Sequence, residues 1–462
     1  MPFWTRKAGE VMSRVLGAVS MAGVMLAICF SPSVANPGGT ERPNIVFVLS
    51  DNQNWKFMSC AGHPFLETPN MDRLAKEGVL FTNAFVTTSL CSPSRASYLT
   101  GQYAHTHGVQ NNWTPWDGTH RTFLERLHDA GYDAAFIGKW HMPGRLPKLE
   151  GVDPFVTFTI QGGQGRYLNC PLVVNGEHRP SRKPYVTEEL TDYAIEFIER
   201  ERKNPFCLYL SHKAVHHRWT PPDHLADLYA DKKIPFPQGF DPWILVTRGH
   251  LFEGTSQGFA SELYRDYCRT IVALDEQLGR LLDRLDALGL TDNTLVVYAS
   301  DNGFFWGEHK RFGTGRWPYE DSIRVPFIVR YPGVIPDPGR RADQVVLNID
   351  VAPTFLEAAG VPIPEDMEGS SLLPILRCAS APWREAFLYE YFKDFPYRVP
   401  PTRAIRTKEY MYIEFEGRRK PELYNVRRDP LQEKNLMNTA EGRAQVAELR
   451  KRLEALKRGQ GK

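Results

Sequence analysis

Asp51-Asn52 and Asp301-Asn302 lie far apart in the chain, and each follows directly on a short apolar run. Together they offer two carboxylates and two amide carbonyls, hard oxygen donors that suit Ca²⁺ or Mg²⁺ better than zinc. An Asp-Asn pair after a strand is also a common turn, so the weight rests on its occurring at two strand ends. Gly138-Lys139-Trp140-His141 sets a cation and an imidazole two positions apart, and in extended backbone both side chains project to one face. His212, His216 and His217 follow a further apolar run. Cys91 opens Cys91-Ser92-Pro93-Ser94-Arg95, which continues through Leu99-Thr100-Gly101 and reads as the start of a helix. A thiol there is a nucleophile if the helix N-terminus and Arg95 lower its pKa. A disulfide is equally compatible with the spacing. These residues imply an anion-binding crevice with a metal, a lysine and histidines, and they leave the use of Cys91 open.

Elements must bring such distant segments together. Four apolar runs end in these polar residues: 44–50 into Asp51, 134–138 into Lys139, 206–210 into His212 and 295–300 into Asp301. They are short, nearly continuous and rich in Val, Ile, Leu and aromatics, as strands covered on both faces must be. A fifth run, Pro326 to Arg330, follows. Between them, Thr68 to Ala75 reads as a helix stopping at Gly78. Thr187 with Glu188 and Glu189 opens another, with Leu190, Ala194, Phe197 and Ile198 on one face. The longest places Tyr267, Ile271, Leu274, Leu278, Leu281, Leu282 and Leu285 at helical steps. The alternation predicts an α/β fold, a doubly wound and mostly parallel sheet flanked by helices, with its site beyond the carboxyl ends of the strands. After about residue 378 the pattern changes: 386–391 and 409–416 read as antiparallel strands, and 440–457 as an amphipathic helix. The expected organisation is one large domain over 36–378 and a smaller C-terminal α+β subdomain over 379–462.

With 56 basic against 54 acidic residues in 462, the net charge of +2 argues against nucleic acid or an anionic membrane surface as partner. Arg6, Lys7 and Arg14, an apolar run over 15–30 and Ser33-Val34-Ala35 make the three-part pattern of a signal peptide over 1–35. The run falls short of the ~20 residues a spanning helix needs. No stable membrane span is expected after cleavage, and the expected location is periplasmic or secreted. Lipoprotein anchoring at Cys29 is the weaker reading because bulky Ile28 precedes it. The seven cysteines are scattered, with no zinc-site spacing.

The run from Cys91 to Gly101 resembles the signature of the type I sulfatases, in which the cysteine is converted after translation to formylglycine. Other stretches are similar to landmarks of that family: Asn44 to Val48 leading into Asp51, Gly138 to His141, Ser300-Asp301-Asn302-Gly303 with Gly307-Glu308-His309, Tyr319 to Pro326, and Glu422-Leu423-Tyr424-Asn425 with Asp429-Pro430. The resemblance runs from about residue 43 to 436. It implies an alkaline-phosphatase-like sulfatase fold and an exported enzyme that hydrolyses a sulfate ester, on a glycosaminoglycan, mucin or algal glycan. It also implies two partners, the sulfated carbohydrate and a formylglycine-generating enzyme.

By the family pattern Cys91, as formylglycine, is nucleophile and metal ligand, and Asp51, Asn52, Asp301 and Asn302 complete the shell around Ca²⁺. Arg95 steadies the hydrated aldehyde, and Lys139 and His141 hold its hydroxyl and the sulfate. His216 is the acid for the leaving alcohol, favoured over His212 and His217 because Lys213-Ala214-Val215-His216 is similar to the family's Lys-Ala-Pro-His. Two positions depart from the pattern. Asn52 stands where the family commonly has Asp, and Gly315 where it usually has a second sulfate-binding lysine, with Arg316 the expected replacement and His309 a further substrate contact. His105 and His107 are expected to support the helix behind Cys91. The stretch from Gln161 to Tyr167 and on to Gly176 is similar to the N-acetylglucosamine-6-sulfatase group. A phosphodiester or phosphonate hydrolase of the same superfamily, and a degenerate glycan-binding relative, are the competing readings.

Overall fold

A computed structural model describes residues 42–245 and 257–459, so the signal-peptide reading of 1–35 lies outside the described residues. Ten strands form the main sheet: β1 (Asn44–Ser50), β2 (Val79–Phe85), β3 (Asp133–Gly138), β4 (Val152–Thr157), β5 (Leu172–Val174), β6 (Glu177–Arg179), β7 (Phe206–Ser211), β8 (Thr294–Ser300), β11 (Phe327–Arg330) and β12 (Arg340–Leu347). Between β8 and β11 the short strands β9 (Phe304–Trp306) and β10 (Phe312–Thr314) pair with each other. The sheet order is β12-β2-β11-β8-β1-β7-β3-β4-β5-β6. Its centre, β8-β1-β7-β3-β4, is parallel throughout. The fifth run read from the sequence is β11, and it runs antiparallel to both neighbours.

Strand β1 shows why the sheet must be covered on both sides. All seven of its residues are buried. Val46 and Val48 pack with Leu74, Leu190 and Leu274 from helices on one face. Ile45, Phe47 and Leu49 pack with Tyr98, Leu124 and Phe355 from helices on the other. A one-residue slip would exchange these two sets, so the register is strongly fixed. That register aligns the strand ends: Ser50 lies opposite Ser300, and Leu49 and Gly138 lie opposite Ser211. Hydrogen bonding runs one step further, from Asp51 N to the Ala214 carbonyl (2.8 Å), Lys139 N to Ser211 (2.7 Å) and Asp301 N to Ser50 (3.1 Å). The polar residues after the strands thus emerge level at one edge. Gly138 has a φ of +116°, and a Cβ there would sit 1.8 Å from the Ser211 carbonyl oxygen, so only glycine lets β3 close on β7 before Lys139.

A second, antiparallel sheet holds β13 (Ala386–Tyr391), β14 (Thr402–Thr407), β15 (Tyr410–Phe415) and β16 (Glu422–Asn425) in that order. Leu388, Ile405, Tyr412 and Leu423 on one face take Leu449 and Leu453 of the terminal helix Ala440–Lys457. Phe387, Tyr389, Ala404 and Met411 on the other pack with Phe85, Leu90 and Ile323. The small sheet therefore braces the segment just before Cys91, where the Tyr389 and Ser89 hydroxyls are 2.8 Å apart.

Candidate active site

Cys91 is the first residue of the helix Cys91–Thr100, every residue of which is buried. Pro93 is tolerated because first-turn N–H groups lack intrahelical partners in any case. Tyr98 Oη donates to the Ser300 carbonyl (3.0 Å), fixing the helix to the end of β8. His107 Nε2 meets Ser97 Oγ at 3.1 Å and so braces the helix from behind, whereas the His105 ring bonds the Glu390 carboxylate of β13 at 2.9 Å.

Three side-chain oxygens converge on the Cys91 sulfur: Asp51 Oδ1 at 3.8 Å, Asn52 Oδ1 at 3.9 Å and Asn302 Oδ1 at 3.8 Å. Asn302 Nδ2 donates to Asn52 Oδ1 (2.6 Å), and Asn52 N donates to Asp301 Oδ1 (3.0 Å). Asn52 adopts a φ of +62°, an uncommon backbone state that turns its amide into the site. Asn52 Nδ2 is buried and has no hydrogen-bond partner among the described residues. These hard oxygens fit a Ca²⁺ or Mg²⁺ ion and fit zinc poorly. One ligand atom each from Asp51, Cys91 and His216 also lies within 4.8 Å of the others, which puts His216 closer to this cluster than the sequence suggested.

Two cations answer the two carboxylates. Arg95 donates from Nε (2.9 Å) and Nη2 (2.7 Å) to Asp301 Oδ2, and from Nη1 to the Lys139 carbonyl (2.9 Å). Lys139 Nζ pairs with Asp51 Oδ2 and donates to Gln164 Oε1 (2.6 Å). Burial, then the Asp301 charge, raises the Asp51 pKa to about 6 against the opposing pull of Lys139 and Arg95. A divalent cation is the kind of partner that offsets such a cost. Burial also raises the Cys91 thiol above its usual value. That removes the premise of a thiolate nucleophile, since the thiolate is the reactive form. No disulfide joins the described cysteines, Cys91 included.

Burial disfavours the charged form of His141, His216 and His212. Burial, then Lys139 and Arg95, lower the His141 pKa well below its usual value, and His141 Nε2 accepts from Gln164 Nε2 (2.6 Å). Burial, then His217, does the same to His216, whose Nδ1–H donates to the His217 carbonyl, leaving Nε2 as its open nitrogen. His212 is buried apart, with its pKa lowered to about 3 by burial. Lys213, with its ammonium 4.8 Å from the Tyr167 ring centroid, is a third buried cation, lowered to about 8 by burial and then by Lys139.

A cavity of about 360 Å³ opens over Cys91, lined among others by His216, Gln164, Asn112, Arg316 and Tyr397. Arg316 sits on its wall, Nε bonding the buried Asp394 carboxylate (2.9 Å). A side chain at Gly315 has no room, because its φ is +40° and a Cβ would lie 2.0 Å from the Ser89 carbonyl oxygen. His309 is not brought to this cavity. Its φ of +53° turns it aside, and its ring stacks on Tyr319 at 3.8 Å, on the wall of a separate cavity of about 1020 Å³. The sequence reading assigned no role to Gln164, which ties Lys139 to His141, or to Asn112, whose Oδ1 accepts from Ser92 N (3.0 Å). Its one signal for Gln164 was the glycine-rich stretch around it.

Buried paired carboxylates and cations at parallel strand ends, gathered around a helix-starting Cys91, define a site for handling an anionic ester. The chain belongs to the sulfatase family, whose "Sulfatase" model matches residues 43–361, and it is a sulfuric ester hydrolase. A second model, "N-sulphoglucosamine sulphohydrolase, C-terminal", matches 307–459. The N-acetylglucosamine-6-O-sulfatase of Bacteroides thetaiotaomicron is 33% identical, covering 98% of this chain and 93% of its own. The human N-acetylglucosamine-6-sulfatase is 30% identical, over 76% of this chain and 68% of its own. A solved structure described as a complex with its substrate D-glucosamine-2-N,6-O-disulfate superposes with a TM-score of 0.84 at 31% identity, covering 91% of this chain and 98% of that one.

Proposed function

We propose that this sulfatase hydrolyses a sulfate ester on a glycan, with 6-sulfated N-acetylglucosamine units as first candidate, through a formylglycine made from Cys91. The observation that carries the reading is the convergence of the Asp51, Asn52 and Asn302 oxygens on the Cys91 sulfur, beside buried Lys139 and Arg95. The full-length likeness to N-acetylglucosamine-6-O-sulfatase supports the sugar. The N-terminal sequence pattern supports export, and the change of pattern near residue 378 supports a catalytic domain over 36–378 with a C-terminal subdomain over 379–462.

A hydrated formylglycine supplies two hydroxyls on one carbon, one to attack sulfur and one to expel sulfate afterwards. Asp51, Asn52, Asn302 and Asp301 would hold Ca²⁺, or Mg²⁺, which supplies positive charge beside the transferring group. Lys139 and Arg95 stabilise negative charge on the sulfuryl oxygens from a desolvated setting, where such contacts are strongest. His141, whose charged form burial and the neighbouring cations disfavour, takes a proton from a hydroxyl at residue 91 on Nε2, the nitrogen that Gln164 Nε2 releases as the hydroxyl approaches. His216 has its Nδ1–H committed to the His217 carbonyl, so Nε2 is the atom that exchanges a proton with the leaving oxygen. An arriving anion favours protonation there. Arg316 supplies the cation that Gly315 does not.

Mass spectrometry of the tryptic peptide Glu77 to Arg95, from protein made in a host with the converting machinery, is expected to show the aldehyde or its hydrate at residue 91. An unmodified thiol in fully active protein would overturn the mechanism. Faster cleavage of a phosphate ester than of the sulfate ester of the same alcohol would move the assignment to phosphoester hydrolysis. Arg316→Ala is expected to lower kcat/KM about 10- to 100-fold, chiefly through KM, with Arg316→Lys in between. Unchanged kinetics in both variants would remove Arg316 from sulfate binding.

A further inference from the structure

Three of the large apolar side chains exposed among the described residues gather at the mouth of the Cys91 cavity. Trp113 is 65% exposed, Phe395 78% and Tyr397 49%. They come from two segments, 111–116 and 392–398, that belong to neither sheet. Tyr397 itself lines the cavity, as do the adjoining Asn112 and Arg398, so the aromatic group continues its wall outward.

Solvent exposure of this size is usually accompanied by freedom to move, yet Trp113 and Tyr397 are held in place, and Phe395 is tied to Trp113 through its backbone. Trp113 Nε1 donates to the Phe395 carbonyl (2.6 Å), and Trp113 N donates to Asn111 Oδ1 (2.9 Å). Asn111 Nδ2 in turn donates to the Lys393 carbonyl (3.0 Å), joining the two segments. Tyr397 is fixed by its N–H to the Asp394 carbonyl (2.8 Å) and by the Arg316 guanidinium, 3.6 Å from its ring centroid. The indole's polar edge is spent inside the protein and its apolar faces are left outside. Trp113 and Tyr397 are restrained before a ligand arrives, which reduces the side-chain entropy lost on binding.

We infer that Trp113, Phe395 and Tyr397 form a stacking platform for the sugar next to the sulfated one, making the enzyme selective for chains over single sugars. This rests on the glycan reading of the site. A pyranose ring presents a C–H face to an aromatic face and hydroxyls around its rim, and amide and guanidinium donors flank these rings at Asn112 and Arg398. Continuity with the cavity sets the order: the sulfated unit enters over Cys91 and its neighbour lies at the mouth.

The test compares kcat/KM for N-acetylglucosamine-6-sulfate and for a disaccharide whose non-reducing unit is that sugar, with 4-nitrophenyl sulfate as reference. Wild type is expected to prefer the disaccharide by about tenfold, the worth of one good stacking contact. Trp113→Ala and Phe395→Ala are each expected to bring that ratio close to one. An equal ratio in wild type and both variants overturns the inference and leaves the glycan reading standing. Cleavage of 4-nitrophenyl sulfate with neither sugar cleaved overturns both. Concentration-dependent dimerisation that Trp113→Ala abolishes assigns the patch to a second copy of the chain and overturns the platform.

Discussion

Cys91→Ser, made in a host with the converting machinery, is expected to lower kcat on a sulfate ester by about 10³-fold or more, the scale of losing a covalent nucleophile. Serine fits the volume and opens a helix as well as cysteine does, so folding should survive. The thiol's own chemistry is not what is lost, because burial holds its pKa high and keeps it protonated. What serine cannot supply is a second hydroxyl on the same carbon. A sulfated serine would need an outside water in a pocket whose floor is fully buried, whereas a hydrated aldehyde would supply the second hydroxyl from residue 91 itself. Burst kinetics separates the two cases: a serine variant that reacts once and stalls supports the scheme. Full steady-state turnover would rule out the aldehyde.

Lys139→Met should produce the second large effect, on stability as well as rate. Lys139 and Asp51 are both completely buried and paired. Removing one partner leaves Arg95, at 3.7 Å, as the ion-pair partner of the Asp51 carboxylate among the described residues. Stranding a buried charge in this way costs about 3 kcal/mol or more, and deleting a preorganised cation at the transferring group costs about 10²- to 10³-fold in kcat/KM. Urea unfolding and steady-state kinetics read the two losses separately. The variant also frees Gln164 Oε1, so the Gln164 contact to His141 loosens with it. A variant with wild-type kcat/KM would show that Lys139 serves only to hold Asp51.

The parallel centre of the sheet and the strand-end residues were readable because burial on both faces leaves a nearly continuous apolar run that stops at the first polar residue. Asp51, Lys139 and Asp301 follow such stops and His216 comes a few residues after another, and the resemblance of Cys91 to Gly101 to a known signature joined these four into one site. An apolar run does not encode strand direction, which is why the antiparallel setting of β11 was not foreseen. β14 was missed because Arg403 and Arg406 interrupt its apolar pattern. His309 was drawn toward the substrate by its motif, while its direction depends on a positive φ and a stacking partner that no local pattern reveals. Gln164, Asn112 and Asp394 matter through contacts made across the fold, and a single sequence carries no mark of those.

The two parts of the pocket obey different constraints. Its floor hangs on strands that cannot slip without turning the core inside out. Its mouth is borrowed in part from the connection between β13 and β14, a sheet that contributes nothing to the ladder beneath Asp51. With the proposed sugar platform at the mouth, chemistry and choice of substrate would be written in separable portions of the chain. Grafting that connection from a relative with another glycan preference is a route to new selectivity on an unchanged reaction centre.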